Sequence, residues 1–220
     1  MNLKLELRPR LALYVITDRS LAGGRPEEEV VRQAIAGGAT AIQLRGKDFS
    51  GGELYAVGLR LRETTRRAGV LFFVNDRVDV AVAVGADGVH VGQEDLPAPA
   101  TRRILGPGRL LGVSASTLEE ARRAEADGAD YIGFGGIYPT QTKADVCRSG
   151  LEELRRVAAE VRVPVVAIGG IKAANAPEVL AAGAHGLAVV SAVVAAPDPQ
   201  AAAAEFAAIL RGSKAKGDSR

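Results

Sequence analysis

The sequence predicts an α/β protein folded as a single (β/α)8 TIM barrel, and three patterns carry this prediction. A Gly-Ala pair followed by a short apolar run recurs four times, at intervals of about 50 residues. One strand and one helix of a barrel together take roughly 25–30 residues, so each interval spans two such units. Four more apolar runs fall between the repeats, and all the runs lack polar alternation, which is typical of parallel strands covered on both faces.

Every second predicted strand follows a Gly-Ala pair. In chain order the eight predicted strands are Leu11–Thr17, Ala41–Leu44, Leu71–Val74, Gly88–Val91, Leu110–Ser114, Tyr131–Phe134, Val165–Ile168 and Gly186–Val190. The Gly-Ala pairs begin at Gly38, Gly85, Gly128 and Gly183. Glycine suits these positions because a helix C-terminus often needs one residue in the left-handed conformation. We therefore expect a helix, a glycine turn and an even-numbered strand in succession.

Helix starts are marked by capping signals between the strands. Capping boxes are predicted for Ser50 with Glu53, Ser116 with Glu119 and Ser149 with Glu152, and Asn175 with Pro177 indicates another helix start. The rival fold is an open doubly wound sheet, but the first strand is not followed by the Gly-x-Gly-x-x-Gly of a dinucleotide site. We expect one barrel domain over residues 1–210 and a disordered C-terminal tail over residues 211–220.

Composition narrows the class of protein and its location. The 220 residues are 47% hydrophobic and 25% charged, as in globular proteins. A net charge of +2 with scattered Lys and Arg predicts no nucleic-acid partner. No apolar run reaches the ~20 residues of a membrane span, so no membrane partner is expected. The single cysteine, Cys147, and an N-terminus unlike a secretory signal predict a cytoplasmic protein.

Polar residues at strand C-termini mark the expected active face, because βα loops build the active site of a barrel. Gln43-Leu44-Arg45-Gly46-Lys47 ends strand 2, and its two cations and one amide suit a diphosphate. A surface salt-bridge pair is the alternative interpretation. Asn75-Asp76 and Asp95 follow the adjacent strands 3 and 4, and the two carboxylates predict one Mg²⁺ site. Each aspartate alone could instead cap the next helix.

Two further loops suit phosphate binding. The loop after strand 6 carries Thr140, Thr142 and Lys143 and runs to about residue 149, a length typical of a functional lid rather than a short connection. A plain flexible loop is the alternative. After strands 7 and 8, Gly169-Gly170 and Val190-Ser191 predict the backbone phosphate cradle common in barrels. His90 and His185 are interpreted as structural, and nothing beside Cys147 marks that residue as a nucleophile.

Taken together, these motifs resemble those of the thiamine-phosphate synthase family. The resemblance extends from about Tyr14 to Phe206 and rests on the segments 43–47, 75–76, 88–95, 112–114, 138–143 and 168–170. It implies an enzyme, a transferase, that joins 4-amino-2-methyl-5-(diphosphooxymethyl)pyrimidine to a thiazole phosphate and releases pyrophosphate. It also implies one Mg²⁺ per active site and a homodimer.

The resemblance assigns roles residue by residue. The pyrimidine diphosphate contacts are Gln43, Leu44, Arg45, Gly46, Lys47, Asn75, Ser114 and Lys143, of which Arg45, Lys47, Ser114 and Lys143 are catalytic. The thiazole phosphate contacts are Thr140, Gln141, Thr142, Gly170, Val190 and Ser191, and the Mg²⁺ ligands are Asp76 and Asp95. In the implied mechanism pyrophosphate leaves first and the thiazole nitrogen captures a pyrimidine-stabilised cation. No protein nucleophile is needed, and no Ser-His or Cys-His pair is recognisable in the sequence.

Three positions depart from the family pattern. Gly46 stands where glutamate is usual, Gly136 where proline is common, and Ser116 where many members have histidine. The alternatives are a thiazole tautomerase of the sister family, whose catalytic histidine falls at about position 116, and a non-catalytic regulator that binds thiamine precursors. Asp95, which the sister enzymes tend to lack, together with Ser116 favours the synthase.

Overall fold

Eight parallel strands close into a barrel in the computed structural model, which describes residues 7–139 and 149–217. They are β1 (Leu13–Ile16), β2 (Ala41–Leu44), β3 (Leu71–Asn75), β4 (Gly88–Val91), β5 (Leu110–Ala115), β6 (Tyr131–Gly135), β7 (Val165–Ile168) and β8 (Gly186–Val189). Each strand pairs with the next, and β8 returns to pair with β1 through Tyr14 and Ala188. The closed circuit confirms the predicted TIM barrel and rules out the open sheet.

Helices surround the barrel. They are α1 (Leu7–Arg10), α2 (Glu27–Ala36), α3 (Gly51–Ala68), α4 (Val78–Ala83), α5 (Ala98–Leu105), α6 (Leu118–Ala126), α7 (Gly150–Glu160), α8 (Ala176–Ala181), α9 (Ser191–Val194) and α10 (Pro199–Gly217), with a short 3-10 helix at Arg19–Leu21. The sequence suggested a disordered tail from residue 211, whereas α10 continues to Gly217. Within the described ranges, no helix combines the length and apolar character needed to cross a membrane.

The Gly-Ala turns and one capping box form as predicted. Gly38, Gly85, Gly128 and Gly183 all have positive φ angles, from 67° to 107°, which L side chains rarely adopt. At the start of α3, Ser50 and Glu53 make both hydrogen bonds of the box.

Two predicted capping boxes do not form. At α6 the cap is Thr117, whose hydroxyl accepts from Glu120 N–H, while Ser116 donates to the Glu120 carboxylate. The residues at 116 and 117 are both competent caps with glutamate three positions on, so the spacing alone chose the wrong one. Ser149 occupies the cap position of α7, but its hydroxyl donates to the carbonyls of Ser116 and Gly135 instead.

Alternate side chains of each strand pack into two different layers. In β1, Leu13 and Val15 face the helices, whereas Tyr14 and Ile16 join the cluster inside the barrel. This inner cluster contains large rings, including Phe73 and Tyr131, which are fully buried. The barrel is therefore filled rather than open, and a ligand can enter only at its ends.

Candidate functional site

The segment after β2 divides between the barrel interior and its mouth. Gln43 points inward and is 2% exposed, and its Nε2 donates to the Tyr14 hydroxyl at 2.9 Å. Leu44 packs in the outer cluster, so only its backbone is available to a ligand. Arg45 is half-buried at the end of the strand and Lys47 is exposed. The amide therefore lies inside the barrel, and the guanidinium follows it at the end of the same strand.

Arg45 already has an anionic partner in Asp18. Its Nη1 lies 2.9 Å from Asp18 Oδ2, and both side chains are about 15% exposed. Asp18 follows β1, and its other oxygen accepts from Ser20 N–H at 3.1 Å. A cavity of about 370 Å³ is lined by residues 18–20 and 45–49. The pairing fixes the guanidinium at the edge of a polar cavity next to the barrel mouth.

Gly46 supports the packing of Phe49. A Cβ at position 46 would lie 2.6 Å from the Phe49 ring, so a larger residue requires the ring to move. The guanidinium carbon of Arg19 stacks over the same ring, 3.7 Å from its centre. The glycine at position 46 thus leaves room for an aromatic side chain three residues later.

The predicted metal ligands lie at the ends of neighbouring strands. Asp76 follows β3 with φ 61°, and its N–H donates to the carbonyl of His90 in β4 at 2.8 Å. Asn75 Nδ2 donates to Asp76 Oδ2. Asp95 Oδ2 accepts from Gly92 N–H at 2.7 Å, which holds this carboxylate in place. Over the described ranges, no group of three or more His, Cys, Asp or Glu side chains gathers as for a metal site built by protein alone. Two oriented carboxylates suit Mg²⁺, which usually takes one or two carboxylates beside substrate phosphates and water.

Ser114 forms a pair with a histidine that sequence reasoning did not recognise. Its Oγ lies 2.9 Å from His90 Nε2, and the other ring nitrogen lies 3.0 Å from the Tyr131 hydroxyl. No Ser-His pair was recognisable in the sequence, and the structure brings one together across neighbouring strands. A serine nucleophile also needs a carboxylate that orients the histidine and stabilises its charged form. Here the buried, neutral Tyr131 phenol occupies that position. The pair therefore fits a hydrogen-bonding role better than covalent catalysis.

The predicted lid residues Thr140, Gln141, Thr142 and Lys143, with Cys147, lie outside the described residues. The segment that leads into the loop is held by Tyr138, whose N–H donates to the Gly169 carbonyl at 3.1 Å. Its hydroxyl donates to the Glu178 carboxylate of α8. Burial and this carboxylate raise the pKa of Tyr138 to about 12, so the phenol remains a donor at neutral pH.

The loop after β7 is held from both sides. Gly170 has φ 62°, and an added Cβ would lie 2.8 Å from both Tyr138 Cβ and the Pro139 carbonyl oxygen. Asn175 Nδ2 donates to the Gly170 carbonyl at 3.1 Å, and Asn175 Oδ1 accepts from Lys172 N–H at 2.8 Å. Asn175 is at the cap position of α8, but its side chain stabilises the loop rather than the helix. The first half of the predicted phosphate cradle is thus held by the Asn175 side chain and by the backbone of Tyr138.

The second half of the cradle follows β8. Val190 precedes α9, and Ser191, its first residue, is exposed. Arg25 crosses from the loop after β1 and donates to the carbonyls of Val194 at 2.8 Å and Ala196 at 2.9 Å. Its Nε donates to the Ala22 carbonyl at 2.8 Å. Arg25 therefore fixes the end of the short helix that carries Ser191.

Sequence reasoning missed Asp18, Arg25 and Tyr138 as supporting residues. Asp18 had a usable signal, because it follows a predicted strand end as Asp76 and Asp95 do. Arg25 and Tyr138 act through carbonyls and carboxylates distant in the sequence, so no local pattern marks them. His185 is structural as predicted, since its Nδ1 accepts from Val165 N–H at 3.1 Å.

Comparison with known proteins agrees with this arrangement. Residues 13–193 match the family described as thiamine monophosphate synthase. A thiamine-phosphate synthase of Moorella thermoacetica is 53% identical over 209 residues, covering 94% of this chain and 100% of the relative. One from Methanocella arvoryzae is 56% identical over 201 residues, covering 90% and 94%. The solved structure of thiamine phosphate pyrophosphorylase from Pyrococcus furiosus superposes with a TM-score of 0.88 at 50% identity, covering 94% of this chain and 99% of that one.

The match spans every strand of the barrel and both halves of the candidate site that the structure describes. Sequence identity above 50% over nearly the whole of each relative is much higher than proteins that share only a fold usually have. The chain therefore belongs to the thiamine monophosphate synthase family and is an enzyme, a transferase.

Proposed function

We propose that this chain transfers the pyrimidinylmethyl group of 4-amino-2-methyl-5-(diphosphooxymethyl)pyrimidine to a thiazole phosphate, forming thiamine phosphate and pyrophosphate. One observation carries the proposal. The same end of the barrel presents the cations Arg45 and Lys47, the carboxylates Asp76 and Asp95, and a glycine cradle after β7. A site with both diphosphate-binding and monophosphate-binding parts suits two phosphorylated substrates.

The diphosphate would become a second anionic partner of Arg45, beside Asp18. In the free protein the guanidinium is paired with Asp18 at 2.9 Å, so its position is set before substrate arrives. A planar guanidinium has enough N–H groups to keep one bond to Asp18 and donate others to phosphate oxygens. Lys47, exposed on the following loop, would add a second positive charge.

Asp76 and Asp95 would hold the Mg²⁺ that the family resemblance implies. When bound, the ion would neutralise charge on the leaving diphosphate. The chain's own part is to keep the two carboxylates oriented. Gly92 N–H holds one oxygen of Asp95, and Asn75 donates to one oxygen of Asp76.

The bond changes balance without a protein nucleophile. The methylene C–O bond breaks and its electron pair leaves with pyrophosphate, giving a cation that the aminopyrimidine ring stabilises. The thiazole nitrogen then donates its lone pair to form the new C–N bond. Cations preorganised on the leaving group would supply the main catalytic effect, because negative charge increases there as the bond breaks. Covalent catalysis by Ser114 would require a carboxylate beside His90. The Tyr131 phenol lies there instead, which supports a mechanism without a serine nucleophile.

Position 116 disfavours the tautomerase alternative. Ser116 N–H and Oγ both bind the Glu120 carboxylate, at 2.6 and 2.9 Å, so this residue serves the start of α6. Serine offers no imidazole for proton transfer at the position where the sister family carries its histidine. The observation favours the synthase over the isomerase.

The test is a reconstituted reaction. Purified protein, both substrates and Mg²⁺ should release pyrophosphate and form thiamine phosphate in equal amounts, measured by a coupled phosphate assay and mass spectrometry. Reactions that omit one substrate serve as controls and should release none. Isomerisation of the thiazole phosphate without the pyrimidine would instead indicate a tautomerase, and tight binding without turnover would indicate a regulator.

A further inference from the structure

A chain of hydrogen bonds crosses the inside of the barrel between two predicted substrate contacts. Gln43 Nε2 donates to the Tyr14 hydroxyl at 2.9 Å, and Tyr14 Oη lies 2.8 Å from Tyr131 Oη. Tyr131 Oη lies 3.0 Å from His90 Nδ1, and His90 Nε2 lies 2.9 Å from Ser114 Oγ. The five residues come from five strands, β2, β1, β6, β4 and β5 in the order of the bonds.

Small residues on the inner face make room for this chain. A Cβ at Gly112 would lie 2.2 Å from the Tyr131 ring and 2.5 Å from His90 Nδ1. A Cβ at Gly133 would lie 2.7 Å from His90 Cε1. Phe73 packs edge-on against Tyr14 and Tyr131 with 5.3 Å between ring centres in each case. The rings are therefore confined by backbone and by aromatic packing.

The amide at one end sets the direction of the whole chain. With Gln43 donating to Tyr14, the Tyr14 hydroxyl proton is available for donation to Tyr131. Tyr131 can then donate its own proton to His90 Nδ1, and in this arrangement the ring would carry a proton on Nε2 and donate it to Ser114. Ser114 receives that bond, and its own hydroxyl proton is left to donate elsewhere.

Burial keeps the two phenols in the state that this chain requires. Tyr14 and Tyr131 are 2% and 0% exposed. Burial raises the pKa of each phenol well above its usual value, so both are protonated at neutral pH. Each phenol can therefore accept one hydrogen bond and donate one.

We propose that Gln43, Tyr14, Tyr131, His90 and Ser114 form one polarised hydrogen-bond chain that presets Ser114 as a hydrogen-bond donor to the pyrimidine diphosphate. The contact of Gln43 and Ser114 with this substrate rests on the proposed function. Tyr14, Tyr131 and His90 are positioning residues, which act on substrate through the two ends of the chain. Such preorganisation means that the serine hydroxyl does not have to be reoriented when substrate binds.

The direction of the chain can be tested without substrate. In protein labelled with ¹⁵N-histidine, long-range ¹H–¹⁵N spectra distinguish the two neutral tautomers, and a His185→Gln variant assigns the His90 signals. We expect the wild-type His90 ring to carry its proton on Nε2. Tyr131→Phe removes the donor to Nδ1 and should give a mixture of tautomers. Tyr14→Phe removes the link between Tyr131 and Gln43 and should give a smaller change of the same kind.

Binding connects the chain to the substrate. By calorimetry, Tyr131→Phe should weaken pyrimidine diphosphate binding about tenfold, equivalent to roughly 1.4 kcal/mol, and leave thiazole phosphate binding unchanged. Phe73→Leu is the matched control, because it disturbs the same aromatic layer but removes no hydroxyl. It should keep the wild-type tautomer and affect binding less than Tyr131→Phe.

Three outcomes are distinguishable. A wild-type His90 protonated on Nδ1 overturns the proposed direction, and equal effects of Phe73→Leu and Tyr131→Phe on tautomer and binding reduce the chain to ordinary packing. In the third outcome, His90 of the wild-type protein carries its proton on Nε2, Tyr131→Phe loses this preference, and the wild-type protein does not bind the pyrimidine diphosphate. This result would uphold the polarised chain and refute the proposed function. If Tyr131→Phe does not fold, Tyr14→Phe gives the same comparison.

Discussion

Gly170 offers a direct test of the phosphate cradle, because two different constraints meet at this residue. Its φ angle of 62° is unfavourable for any residue with a Cβ. A Cβ there would also lie 2.8 Å from Tyr138 Cβ and from the Pro139 carbonyl oxygen, closer than such contacts occur. Gly69 has φ 69° and open space around it, so it carries only the first constraint. Comparing alanine at these two positions separates conformation from contact.

The expected losses follow from these two effects. The left-handed conformation costs a non-glycine residue about 1–2 kcal/mol. Extra atoms forced into a packed site add about 1–3 kcal/mol. Gly69→Ala should therefore lower the free energy of unfolding by about 1–2 kcal/mol. Gly170→Ala should lower it by about 2–5 kcal/mol, unless the segment at 138–139 moves to relieve the contact.

Urea unfolding of both variants measures stability, and steady-state pyrophosphate release measures the site. For Gly170→Ala we expect a raised KM for the thiazole phosphate and little change for the pyrimidine diphosphate, whereas Gly69→Ala should change neither. This selectivity follows from the family resemblance, which assigns Gly170 to the thiazole phosphate. The contact with Tyr138 adds a second cause, because this residue leads into the predicted lid. Equal stability losses and an unchanged thiazole KM would refute the reasoning.

Three further perturbations probe neighbouring parts of the site. Arg25→Met removes three hydrogen bonds to carbonyls, so urea unfolding should show a free energy of unfolding lower by about 2–4 kcal/mol. Calorimetry should show weaker thiazole phosphate binding, and unaltered affinity would show that α9 needs no such support. Gly46→Glu should lower Tm because its Cβ would meet Phe49, and adding Phe49→Ala should restore most of the loss; no recovery in the double variant would contradict this packing. Asp95→Asn keeps an acceptor for Gly92 N–H but removes a charge, so the Mg²⁺ concentration needed for half-maximal pyrophosphate release should rise roughly tenfold. The circular dichroism spectrum should be unchanged, and an unaltered Mg²⁺ requirement would argue against a ligand role for Asp95.

The fold was predictable because its signals are local and repeated. Each Gly-Ala turn needs a left-handed glycine, and each buried parallel strand needs an apolar run. Both constraints act within a few residues. Strand ends were less certain. Leu11 was predicted to start β1, but its N–H donates to the Leu7 carbonyl in the turn after α1. An apolar residue suits either place, so hydrophobicity alone does not choose.

Candidate site residues could be proposed where a polar residue stands at a strand end, but the residues that support them from a distance could not. Arg45, Asp76 and Asp95 were proposed as site residues from strand position alone, and the structure places each after the end of its strand. Tyr14 and Tyr131 lie within apolar runs and were interpreted as strand core. Their hydroxyls meet only when β1 and β6 face each other across the closed barrel. A contact across 117 residues leaves no trace in local spacing.

Closure of the barrel has a consequence for the order in which the parts of the site can form during synthesis. The β1–β8 pairing and the Arg25 bonds to Val194 and Ala196 both join the start of the barrel to its end. During synthesis from the N-terminus, β2 to β5 are complete long before β8 leaves the ribosome. Contacts between distant parts of a chain also form slowly once both parts are present. The strands that carry Arg45, Asp76 and Asp95 are thus made before the phosphate cradle, and a chain truncated before β8 would lack the pairing with β1 that closes the sheet.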